Sequence, residues 1–137
     1  MARIAGPRPL PVLKRQDREM SPDPVHEITV QQLAAKLSSS DPFVLLDVRE
    51  SWELERASIV DDRLAVVPVS RLGREGIDAL PSPAKAPQAE LYVICHQGVR
   101  SANVTAWLAA QGWTRVFSVA GGIDEYAREI DPALARY

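Results

Sequence analysis

The chain has 137 residues, 46% of them hydrophobic and 25% charged, with a formal net charge of −2. That suits a single globular domain able to bury a core without staples, and no apolar run is long enough to span a bilayer. One cysteine excludes an internal disulfide framework and a cysteine-cluster zinc site, and His26 and His96 lack metal-ligand spacing, so no metal or cofactor is expected.

Residues 1–24 carry five of the eleven prolines, in "GPRPLP" and "SPDP". Prolines at that density deny a helix its donors, so this stretch is predicted to be a flexible arm, with the domain spanning 25–137. The arm holds five basic and three acidic side chains, which leaves −4 for the remainder. A mildly acidic body speaks against nucleic acid as a partner, because phosphate binding wants a basic face. No continuous apolar stretch followed by small residues marks a secretory leader, so a cytoplasmic setting without membrane attachment is expected.

"EITVQQLAAKLSSSDP" predicts a short strand, then a helix opened by Thr29 with Gln32 three residues on, the pattern of a capping box. "FVLLDVRE" is a continuous apolar run and reads as a buried strand ending in polar groups. "SWELERA" predicts a short helix capped by Ser51. "LAVVPVS" predicts a strand whose Pro68 demands a strand end or an edge. "RLGREGIDAL" follows as a helix, with Arg71 and Arg74 on a solvated face. "PSPAKAPQAE" is a surface loop, since Pro81, Pro83 and Pro87 fall within seven residues. "LYVIC" is a buried strand, "SANVTAWLAAQG" a helix stopped by Gly112, "TRVFSVAGG" a strand and "IDEYAREI" a last helix. Trp52, Trp107 and Trp113 are expected to pack the core or its edge. Strands alternating with helices predict an α/β fold with a mostly parallel central sheet flanked by helices on both faces.

Ligands of such sheets gather beyond the carboxyl ends of the strands, and Cys95 closes the strand "LYVIC" just before a helix. The intervening "HQGV" must curl back, and Gly98 permits the positive φ that such a curl demands. Successive N–H groups turned inward then form an anion nest beside the helix's positive end, where a thiol is pushed toward its thiolate. Arg100 either adds charge there or ties the loop together. A lone cysteine is also a common inert core residue, and the residues alone leave both readings open.

"LLDVRE", "WELE", "VVPVSRL", "CHQGVRS", "LAAQGW" and "VFSVAGGIDEYAREIDP" stand in the order and spacing of rhodanese-like domains, which the chain resembles from about Ile28 to Tyr137. The ending "IDPALARY" is similar to modules that donate sulfur, some of them fused to adenylating enzymes. The resemblance implies a rhodanese-type sulfurtransferase. Cys95 is then the nucleophile that takes a sulfane sulfur from a donor such as thiosulfate and passes the persulfide to a thiophilic acceptor, a carrier protein among them. His96, Gln97, Gly98, Val99 and Arg100 form the loop that holds the persulfide, with the backbone N–H groups of 96–100 carrying its charge. His96 either assists proton transfer or is an idle loop residue. Asp47 and Arg49 match the family's supporting acid and base, and a structural ion pair is the favoured role. With no second cysteine, delivery must be intermolecular.

Phosphatases of this fold place five residues between cysteine and arginine, whereas "HQGV" is four, and Ile94 stands where they carry histidine. A small phosphatase or arsenate reductase is therefore disfavoured. A catalytically idle module that binds a partner is the main alternative. One departure bears on donor specificity: the family's "GHI"-like turn is replaced by Ala57, Ser58 and Ile59.

Overall fold

The structure is a computed structural model that describes residues 26–137. The predicted arm at 1–24 lies outside the described residues.

Five parallel strands form one sheet: β1 (Glu27–Ile28), β2 (Val44–Asp47), β3 (Leu64–Val66), β4 (Leu91–Ile94) and β5 (Val116–Val119). Their order is β1-β5-β4-β2-β3. Five α-helices accompany them: α1 (Val30–Leu37), α2 (Ser51–Leu54), α3 (Val69–Glu75), α4 (Val99–Ala110) and α5 (Gly122–Glu129). The predicted α/β class with a parallel sheet is what the chain forms.

The side-chain period of two divides the sheet into two cores. Val44, Leu46 and Val48 of the β2 segment and Leu91, Val93 and Cys95 of the β4 segment share one cluster with Leu72 of α3 and with Val104, Trp107 and Leu108 of α4. The alternate residues Leu45, Tyr92, Ile94 and Val119 face the other way, onto Val30 and Leu33 of α1 and Ile123 and Tyr126 of α5. Helices therefore cover both faces, as predicted. Each fully buried Leu, Ile or Val in these layers contributes roughly 2 kcal/mol.

Local signals set most boundaries. The capping box at α1 is formed: Thr29 Oγ1 accepts from Gln32 N at 3.0 Å, and Thr29 N donates to Gln32 Oε1 at 2.8 Å. Pro68 stands just past β3, an edge strand, and opens α3 as its N-cap.

Four details differ from the sequence expectations. Glu50, not Ser51, is the N-cap of α2, and its N–H donates to Glu53 Oε2 at 3.0 Å. The helix expected over "RLGREGIDAL" begins earlier, at Val69, and stops at Glu75, because Gly76 turns to φ 63° and the chain continues as a 3-10 turn. The proline loop is anchored: Ala84 is fully buried, and the Trp113 indole N–H donates to its carbonyl at 2.9 Å. Trp107 and Trp113 are buried as expected, but Trp52 is 58% exposed and packs no core.

From β2 the chain moves outward to β3, then returns to the other side of β2 to form β4. The direction of winding thus reverses between β2 and β4. The crevice beyond their carboxyl ends is where ligands of open α/β sheets bind. Arg49 follows β2 there, and Cys95 follows β4.

Candidate functional site

Cys95 is the first residue past β4, and the loop 95–98 runs into α4. Gly98, at φ 102°, is the left-handed N-cap of that helix. This turn brings two backbone donors onto the sulfur: Gly98 N–H at 3.1 Å and Ser101 N–H at 3.3 Å. The thiol in turn donates to Ser101 Oγ at 3.4 Å. The predicted inward-facing nest is thus present in part, and one of its donors, Ser101, lies beyond the expected 96–100.

The outer side of the loop is fixed by α5. Ile123 N–H donates to the Cys95 carbonyl at 2.9 Å, and Asp124 N–H donates to that of His96 at 3.0 Å. The start of α5 thus holds both carbonyls, so neither is left to face the sulfur. Gly122 makes this approach possible: a Cβ there would sit 2.5 Å from the carbonyl oxygens of Cys95 and His96. The "AGG" of the sequence is therefore part of the site.

The thiol is also deeply buried, with Cys95 only 1% exposed. Gln97 and Val99 of the loop are exposed, while His96 and Arg100 are partly covered. Around the loop runs an interlocked set of charges. Arg49, fully buried, grips Asp47 with two bonds of 2.9 and 2.7 Å. Arg100 grips Glu53 with two bonds of 2.7 and 2.8 Å. Tyr137 joins the pairs, accepting from Arg49 Nη1 at 2.9 Å and donating to Glu53 Oε1 at 3.1 Å. Its ring stacks on His96, with centroids 4.0 Å apart and planes 7° from parallel.

Arg100 therefore ties the loop to α2, and its charge is neutralised by Glu53. The Arg100 fork holds Glu53's pKa at about 2 despite burial, helped by the Glu50 N–H and the Tyr137 hydroxyl. Asp47 and Arg49 form a buried structural ion pair. A four-residue helix such as α2 is too short to persist on its own hydrogen bonds, and Glu53 is its buried anchor.

Sequence reasoning missed Glu53, Ser101 and Tyr137. Glu53 carried a signal in "WELE", an acid on the inward side of a short helix. Tyr137 carried none, because its partners lie 84 and 88 residues away. Among the described residues no cluster of His, Cys, Asp and Glu fits a metal ion. None of their helices is long and apolar enough to cross a membrane.

The family profile described as "Rhodanese-like domain" matches residues 29–129. The chain is 33% identical over 118 residues to the rhodanese-like/PpiC domain-containing protein 12, chloroplastic, of Arabidopsis thaliana, covering 84% of this chain and 38% of that protein. It is 26% identical to a sulfurtransferase of Allochromatium vinosum, covering 81% of this chain and 96% of the relative. In structure it is similar to the Saccharomyces cerevisiae single-domain sulfurtransferase RDL2, with a TM-score of 0.65 at 20% identity, over 84% of this chain and 98% of that one. The last likeness is one of fold. With the profile spanning most of the chain and the cysteine loop at the sheet's switch point, the protein belongs to the rhodanese-like domain family.

Proposed function

We propose that the protein is a sulfurtransferase that carries a sulfane sulfur on Cys95. The observation that supports this best is the sulfur's position under the N–H groups of Gly98 and Ser101, at the start of α4. Donors fixed in that way stabilise negative charge on sulfur without reorganisation. With thiosulfate as donor, the Cys95 thiolate attacks the outer sulfur. The S–S bond breaks, and sulfite leaves with its electron pair. A second nucleophile, such as cyanide, a thiol or an acceptor protein, then takes the terminal sulfur and restores the thiolate. A free thiol of this kind fits a reducing compartment, the cytoplasm being the expected one.

The burial of Cys95 favours a second reading, a rhodanese-fold module that binds a partner and performs no chemistry. Intact-mass analysis after thiosulfate treatment separates the two. Sulfur transfer is expected to add one sulfur atom, reversibly with cyanide, and Cys95→Ser is expected to add none. No gain with several sulfane donors leaves the binding module.

A further inference from the structure

Ser118 lies on the interior strand β5, fully buried, between Glu27 of β1 and Val93 of β4. It shares its side of the strand with the core residue Val116, where an apolar side chain would serve packing. A buried hydroxyl costs free energy unless it is bonded. Among the described residues its side-chain partner is Ser101, with the two oxygens 2.8 Å apart. Ser101 is fully buried too, and it reaches Cys95 Sγ at 3.4 Å. Two hydroxyls thus stand in line behind the sulfur.

We propose that Ser118 is a positioning residue that acts on Cys95 through Ser101. In the thiol form, S–H donates to Ser101 Oγ, whose own hydrogen points at Ser118. When the thiol proton leaves to water, the Ser101 hydroxyl rotates to donate to the sulfur, and Ser118 donates to Ser101 Oγ. The thiolate then has three donors: the N–H groups of Gly98 and Ser101 and the Ser101 hydroxyl. Ser118 polarises the last of these and keeps Ser101 Oγ satisfied while it faces the sulfur. This rests on Cys95 being the nucleophile of the proposed function.

Iodoacetamide, small and neutral, reads the reactivity of the sulfur without any sulfur donor. The full chain is compared with Ser118→Ala, Ser101→Ala and the double variant at one neutral pH, beside their unfolding midpoints. Alkylation is expected to slow about 3-fold in Ser118→Ala and about 10-fold in Ser101→Ala. The double variant is expected to match Ser101→Ala, because Ser118 then has nothing to act through. Ser118→Thr keeps the hydroxyl and is expected to restore at least half of the rate. A wild-type rate in Ser118→Ala, losses that multiply in the double variant, or a Thr variant as slow as Ala overturns the proposal. Thiosulfate loading of the same proteins is read separately by mass. A wild type that takes up no sulfur yet keeps these rate ratios removes the sulfur-transfer reading and leaves the role of Ser118 standing.

Discussion

At the carboxyl ends of β2 and β4, Asp47, Arg49 and Glu53 are buried, Arg100 is partly covered, and Tyr137 bridges them. At the amino ends of the same strands, Lys36, Arg63, Glu90 and Arg115 line an open cavity of about 650 Å³. Both ends pair their charges. At the amino end Arg63 bonds Asp61 and donates to the carbonyls of Leu37, Ser39 and Asp41, closing the end of α1. Lys36 meets Asp41 and Glu90 at 3.2 and 3.1 Å, with Asp41 mostly exposed. The hollow bordered by the loop residues Gln97, Gly98 and Val99 is smaller, about 320 Å³. Burial, rather than the number of charges, marks the end that fixes a reactive loop.

The largest effect is expected at Gly122, where α5 meets the loop. Gly122→Ala places a Cβ 2.5 Å from backbone oxygen at φ 62°. A loss of about 3 kcal/mol of stability is expected, together with loss of Cys95 reactivity, measured by denaturant unfolding and alkylation. Near-normal stability would mean that the close approach of α5 is not needed.

Next comes the contrast between the two ends. Glu53→Ala strips Arg100 and Tyr137 of their shared acceptor and is expected to cost about 2 kcal/mol, since Arg100 keeps some solvent. Lys36→Ala, at the open end, is expected to leave the unfolding midpoint unchanged within error. Equal effects would erase the distinction.

The smallest effect is one of pH. Glu53 and Asp61, one at each end, are both held at about 2 by arginine hydrogen bonds. A carboxylate depressed in the folded state contributes stability that is complete above its unfolded value, near 4 to 4.5. That stability is lost as pH falls through about 2. Unfolding followed from pH 6 to 2 is expected to show stability falling below about pH 4.5, and the Glu53→Ala protein to lose less over that window.

The strand and helix pattern, the capping box at Thr29 and the loop after Cys95 were legible because each depends on neighbours a few residues apart. The terminators were legible in part: Gly112 follows a clear helical run, while Gly76 sits inside a stretch whose pattern reads as one helix. Trp52 was misplaced because aromatic bulk implies burial on average, and only packing shows that α2 turns this side chain outward.

The amino-acid sequence by itself determined the alternating α/β order, the parallel sheet and the position of a thiol between a strand and a helix, since periodicity and turn residues act locally. Tertiary structure decided how deeply that thiol is buried, that Arg100 is neutralised by Glu53 47 residues away, and that Ser118 stands behind Ser101. Those outcomes rest on which distant side chains share one crevice, and close packing, not local propensity, settles that.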